Sequence, residues 1–323
     1  MADRLADATV PCNDPAMGQE YRVLTAEQAE QFVTKGYVVI RGCFSREAAA
    51  ERTATIWTRL GYAPDDPSTW DQSSVHMPSH QLIDVSEFAP KAWLAACDLV
   101  GGPERISTAK PYTWNDAFIV NLWEGADRPW APASPASPGW HKDGDFFRHY
   151  LDSPEQGLLS LVLWSDVVHQ GGATFLAADS VGPVARFLAD HPEGVYPSDN
   201  SVGQDPSTVV VPYAELIARC ADFVEATGET GDVYLLHPFI LHAKAQNVLR
   251  VPRYITNPPL TLAEPMRFDR PDPSLVERAV LHGLGVDQYE FTATGPRELL
   301  VPERVARQRA MKADEERRLA TAQ

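Results

Sequence analysis

The chain has 323 residues, of which 44% are hydrophobic and 9% aromatic, and carries a net charge of −16. That apolar content suffices for one large core or two smaller ones, and the acidity argues against nucleic acid or an anionic membrane surface as the main partner, since both need a positive field. No stretch approaches the roughly 20 apolar residues of a membrane span, and residues 1–18 contain no apolar signal core. Cys12, Cys43, Cys97 and Cys220 form no C-x-x-C pair, so a cytoplasmic protein without a disulfide framework is expected.

In chain order, residues 1–22 read as a polar, loosely held arm. Thr25 reads as the N-cap of a helix through AEQAEQFVTK that stops at Gly36, followed by a short β-branched strand, Tyr37 to Arg41. Ser45 then caps a second helix, read as continuous to Gly61. Residues 62–87, rich in Pro, Asp and Ser, read as a long loop in which His76 and His80 could be ligands but, with no strand or helix to fix them, read better as solvated. A helix is expected from Pro90 to Leu99 and a strand from Asp116 to Glu124. The Pro/Ala/Ser segment 125–139 cannot join a sheet interior and is either a lid or a plain surface connection.

Further strands are expected at Gly157–Val167, Gly172–Ala178, Thr208–Tyr213, Asp232–Leu236, Phe239–Val248 and Arg253–Asn257, with helices at Val181–Asp190 and Tyr213–Asp222. No internal repeat and no strand-helix alternation of the doubly wound kind is present. Many short strands around one site predict a mainly β fold with flanking helices, a double-stranded β-helix of the jelly-roll, cupin-like kind. The reading is one domain over 1–323, with its core at about 24–260 and a helical extension at about 261–323 whose charged end is a solvated face.

The chemistry gathers at GWHKDGDFF, from Gly139 to Phe147. Residues two apart on a strand point to one side, so His141 and Asp143 can offer a nitrogen and a carboxylate oxygen to one metal ion. With nine His in an acidic chain, H-x-[DE] also arises by chance, as at His191 and Glu193. A second His would complete the two-His, one-carboxylate face used by non-heme Fe(II) oxygenases. His242, on an expected strand, supplies it, and Arg253, eleven residues on, would enter the same interior through an antiparallel hairpin. His237 is a rival for the ligand position. Taken singly, His242 reads as a satisfied core histidine and Arg253 as a surface ion pair.

Together, His141, Asp143, His242, Asn247 and Arg253 resemble the phytanoyl-CoA dioxygenase family of Fe(II)- and 2-oxoglutarate-dependent oxygenases, whose pattern is H-x-D, a distal His, an Asn five residues on and an Arg eleven residues after that His. The stretches LTAEQAEQFVTKGYVVIRGCFSREAAAE and GGATFLAADSVG are similar to the family's opening helix and strand and to its Gly-rich strand. The resemblance implies Fe(II) on His141, Asp143 and His242, 2-oxoglutarate held through Arg253 with Asn247, Lys142, Asn121 and Thr174 nearby, and O2 as oxidant. It also implies release of succinate and carbon dioxide as a C–H bond of a small molecule is oxidised. Asp143 in place of Gly or Ala implies an oxygenase and not a halogenase. Two positions depart from the pattern: Lys244 stands where the family often has Ser or Thr, and Lys142 where it often has Gln. Trp140, Phe146, Phe147, Tyr150 and Trp164 are candidate pocket walls, and Arg148 a candidate contact for an anionic group. A cupin-type metal-dependent isomerase, which would not need Arg253, and a non-catalytic jelly-roll binding protein remain the alternatives.

Overall fold

The computed structural model describes residues 21–198 and 208–322; the arm expected at 1–22 and Cys12 lie almost wholly outside them. Its first elements follow from local sequence. Thr25 and Gln28 form a reciprocal capping box at the start of α1 (Ala26–Lys35), and Gly36 ends it in the left-handed region at φ 71°. β1 (Tyr37–Ile40) follows directly. The helix read as continuous from Ser45 to Gly61 is instead two, α2 (Arg46–Thr53) and α3 (Ile56–Leu60). Thr53 turns its hydroxyl back to the Ala49 carbonyl, and the run Thr53, Thr55, Ile56 is β-branched, a combination that weakens a helix.

Residues 62–87 are more ordered than expected. They hold β2 (Ser74–His76), β3 (Leu82–Asp84) and α4 (Val85–Phe88), the last capped by the Asp84 carboxylate. After α5 (Pro90–Val100) come β4 (Thr113–Asn115), β5 (Ile119–Asn121), β6 (Leu158–Leu163), β7 (Thr174–Ala177), α6 (Val181–Ala189), α7 (Tyr213–Ile217) and β8 (Phe223–Ala226). The order then runs β9 (Val233–Leu236), β10 (Leu241–Lys244), β11 (Arg253–Thr256), β12 (Pro259–Leu260), α8 (Leu275–Leu284) and α9 (Arg304–Thr321). The strand expected at Thr208–Tyr213 reduces to a single bridge between Val210 and Tyr196, whereas β8 had no counterpart in the sequence reading.

The strands form mainly antiparallel sheets flanked by helices. One sheet has the order β1-β9-β6-β11-β5-β2 with β12 also on β6, a second is β10-β7-β8, and β3 pairs with β4. β6, β7 and β9 are buried at every position, so both their faces are covered and they read as continuous apolar runs. One end of the core is an aromatic cluster in which Phe44, Trp114 and Phe118 surround Trp164 at centroid distances of 4.8–6.3 Å. α8 packs against α1, α5 and α6.

α9 is fastened differently. Its single buried residue is Glu315, which accepts from Arg59 Nε at 2.8 Å and lies 2.8 Å from His80 Nε2, while Arg59 also reaches Asp116 at 3.1 Å. His80 is therefore part of an interior ion network and not a solvated loop residue. No helix among the described residues is long and apolar enough to cross a membrane.

Candidate metal centre

His141 and His242 exchange two backbone hydrogen bonds, 3.1 and 2.8 Å, as an isolated antiparallel bridge. The H-x-D segment is thus no strand of its own; one ladder rung ties it to β10. Each imidazole has its Nδ1 on a backbone carbonyl, His141 on Gly139 at 2.8 Å and His242 on Ile240 at 3.3 Å. A carbonyl only accepts, so Nδ1 is the donor to it in both rings and Nε2 is the nitrogen left to face Asp143. Both Nε2 atoms lie 3.5 Å from Asp143 Oδ1, and the three ligand atoms fall within 4.8 Å of one another. That is a preformed triangle of two imidazole nitrogens and one carboxylate.

Asp143 is oriented in turn. Asn257, just past β11, donates to its Oδ2 at 2.7 Å. Burial pushes its carboxyl up, but the adjacent imidazoles of His242 and His141 outweigh this and hold it well below the usual range, so it is ionised. His141 moves the other way: burial lowers it, and the Asp143 carboxylate and Gly139 carbonyl more than offset that. Gly144, at φ 116°, closes the loop; a Cβ there would meet Phe147 at 2.7 Å and His149 Nε2 at 2.9 Å.

The residues expected on the cosubstrate side divide. Arg253, 1% exposed, donates from Nε to the Gly172 carbonyl at 2.6 Å and from Nη1 to that of Ile119 at 3.1 Å, while its Nη2 has no partner. Burial pulls this guanidinium down to about 9, with no acidic neighbour to restore it. It is a buried cation awaiting an anion, not the surface ion pair it resembled when read alone. Thr174 lines the same cavity. Asn247 and Asn121 do not. Asn247 donates to the carbonyls of Asn121, Leu122 and Val251, and the Asn121 amide bonds Glu124 and Ala245, so the pair braces β5 behind Arg253. Gly172 packs so closely on Asn121, 2.7 Å from where a Cβ would stand and at φ 79°, that a side chain is excluded. Lys142 turns its ammonium inward, to the Asp143 carbonyl at 3.1 Å and His149 Nδ1 at 3.0 Å, where burial lowers it to about 7. It fastens the ligand loop. Lys244 is balanced by Glu124 at 3.2 Å.

The expected hairpin from His242 to Arg253 is absent. β10 pairs with β7 and β11 with β5 and β6, so the two residues come from different sheets and meet across one cavity of about 500 Å³. His237 is not part of the triangle: its Nδ1 accepts from Phe239 N at 3.1 Å and its Nε2 lies 3.2 Å from the Val276 carbonyl. Of the five aromatics proposed as walls, only Phe146 lines the cavity. Trp140 donates to the Ser134 carbonyl, Phe147 packs on His149, Tyr150 donates to the Glu193 and Pro296 carbonyls, and Trp164 belongs to the core cluster. Arg148 lies over Tyr196, outside the lining. No residue of 125–139 lines the cavity either; Gln246 pins that segment through Gly125, Pro129 and Ala131. The lining instead includes His76, Gln156, Tyr213, Asn257, Arg304 and Gln308, none of which the sequence marked as site residues. His76 is wetted by the cavity yet surrounded by protein, and burial, helped by Lys244 and Arg253, lowers it to about 4, so its ring is neutral.

No known family profile matches the sequence, and no curated protein matches it. Among solved structures, the chain is similar to the epimerase SnoN in complex with Fe3+, alpha ketoglutarate and nogalamycin RO, at 17% identity and TM-score 0.40, covering 86% of this chain and 96% of that one. It is also similar to HygX from Streptomyces hygroscopicus with nickel and 2-oxoglutarate bound, at 17% identity and TM-score 0.39 over 72% and 85% of the two chains. A third is EctD from S. alaskensis with bound Fe, at 19% identity and TM-score 0.38 over 77% and 81%. These are partial likenesses.

Proposed function

We propose that the chain is an Fe(II)- and 2-oxoglutarate-dependent oxygenase, built as one domain on a double-stranded β-helix and oxidising a C–H bond of a small organic molecule. One observation carries the reading: a ready two-His, one-carboxylate triangle shares its cavity with a buried guanidinium that has an unpartnered Nη2 and no anion beside it. A metal-only isomerase needs the triangle but has no use for an unpaired buried cation, which is costly to keep. The residues fit the missing groups. His141, Asp143 and His242 would hold the metal. Arg253 would pair with the distal carboxylate of 2-oxoglutarate, its planar fork suited to a two-pronged contact. When bound, iron and 2-oxoglutarate supply the oxidising power, with succinate and carbon dioxide as coproducts. The protein's own part is orientation: Asn257 fixes the Asp143 carboxylate, the Gly139 and Ile240 carbonyls fix both imidazoles, and β5 and β6 present Ile119, Leu159 and Leu161 as an apolar floor.

The test is spectroscopic. Anaerobic addition of Fe(II) and 2-oxoglutarate should give a weak visible charge-transfer band, absent in Asp143→Ala and present in His237→Ala. An unchanged band in Asp143→Ala, or loss in His237→Ala with retention in His242→Ala, would overturn the ligand set.

A further inference from the structure

His76 opens onto the cavity with its ring unengaged. It is exposed at the end of β2, it lines the cavity, and no described residue bonds its ring. Strand pairing fixes the side on which that ring lies. On β5, Ile119 has His76 of β2 on one side and Ile255 of β11 on the other, and one row along Asn121 stands between Ser74 and Arg253. Directly paired residues share a face of a sheet, so His76 lies on the face that gives Ile119, Ile255 and Arg253 to the cavity. Met77 N donates to the Phe118 carbonyl at 2.9 Å, which carries the pairing past His76 and holds it from both sides.

Two cations converge on this stretch of β2. The Arg253 guanidinium reaches the carbonyl of Ile119, the residue paired with His76, at 3.1 Å, and Lys244 Nζ reaches the Ser74 hydroxyl, two residues before His76, at 3.5 Å. Lys244 is offset by Glu124, whereas Arg253 has no acidic neighbour. Arg253 is nevertheless charge with little open surface: it is 1% exposed, and two of its nitrogens are taken by carbonyls. A carboxylate drawn to that charge needs an accessible donor beside it, and a neutral imidazole offers one N–H. We infer that His76 hydrogen-bonds the carboxylate held at Arg253, and thereby selects a dicarboxylate cosubstrate over 2-oxo acids that lack the second carboxylate. The inference rests on the oxygenase reading for the cosubstrate, but binding requires neither iron nor turnover.

The test titrates two probes into Zn(II)-loaded protein by calorimetry. One is 2-oxoglutarate; the other is 2-oxopentanoate, which keeps the 2-oxo acid head and the chain length but ends in a methyl group. His76→Leu should weaken 2-oxoglutarate about tenfold or more, the worth of one hydrogen bond to a charged group, and leave 2-oxopentanoate within about twofold of the parent. His76→Gln, which keeps an N–H donor, should recover part of the loss. Both variants should melt as apoprotein at the parent's temperature, because no bond within the protein is removed. A damaged fold would weaken both probes, so the ratio between them reads the contact. Equal loss of the two probes in a folded His76→Leu protein, or loss of neither, would overturn the assignment. Failure of the oxygenase reading looks different: the parent itself would bind neither probe, and the inference would fall with it.

Discussion

Arg253→Met separates the cosubstrate from the fold. In the parent, the guanidinium makes two bonds to carbonyls and leaves Nη2 unpartnered. Removing it strips donors from the Gly172 and Ile119 carbonyls, at about 1–3 kcal/mol each, but also removes an unpaired buried charge whose burial costs several kcal/mol, so the two effects largely offset. The apoprotein should keep its melting temperature to within a few degrees. Binding of 2-oxoglutarate loses one partner of a desolvated charge pair, typically about 2–5 kcal/mol, or roughly 30-fold or more in affinity. Thermal unfolding reads both quantities together. At a 2-oxoglutarate concentration of about 100 times the parent's Kd, ligand stabilisation should be about 2.7 kcal/mol in the parent and about 0.9 kcal/mol or less in the variant. Arg253→Lys should recover part of the difference, since a point charge replaces a fork. Metal binding, followed separately, should be unaffected. Equal 2-oxoglutarate stabilisation of parent and Arg253→Met would refute the pairing.

Asn257→Leu leaves Asp143 Oδ2 without its donor, and metal affinity measured by competition with a chelator should fall about 10–100-fold, as for other partners that orient ligands; unchanged affinity would remove Asn257 from the centre. His237 supplies a pH test. Burial holds its imidazole down to about 3, against an ordinary value of about 6.5, so between these values the unfolded chain binds the additional proton. Stability is therefore fully present above about pH 6.5 and is lost as pH falls toward 3, by up to about 1.4 kcal/mol per unit from this group. His237→Gln, which keeps a donor for the Val276 carbonyl, should show a shallower acid slope in urea titrations at successive pH values, and an identical slope would show that the ring is not held neutral.

The parts of this protein legible in its sequence are those whose cause is local. Thr25, Gln28 and Gly36 lie within one short stretch that sets its own boundaries, and the α1 reading stands. That His141, Asp143 and His242 gather was legible because their residue types are few and their spacing restrictive, with His242 singled out only by its distance to Asn247 and Arg253. What failed was pairing. A strand does not announce its partner, so two strands eleven residues apart were read as a hairpin when β10 and β11 belong to different sheets. Spacing places Asn247 beside the cosubstrate, yet its bonds go to the carbonyls of Asn121, Leu122 and Val251. Asn257 and Gln156 give no signal, because an Asn after a strand and a Gln in a loop are ordinary until the fold turns them into one cavity, and His76, with no strand to fix it in the sequence, reads as solvated. The aromatic walls failed for a related reason: bulk predicts burial, and only packing decides between core and cavity.

α9 gives the site an unusual dependence on chain order. Arg304 and Gln308 line the cavity, and the helix carrying them is fixed through Glu315 to Arg59 and His80, with Lys312 reaching the Ser79 carbonyl. During synthesis every other described element leaves the ribosome before this one, so His141, Asp143, His242 and Arg253 are all made before the residues that complete one wall of the cavity. In that interval Arg59 and His80 lack the Glu315 carboxylate, and the emerging helix brings that charge to them. Among the described elements, the cavity is consequently completed by the last of them.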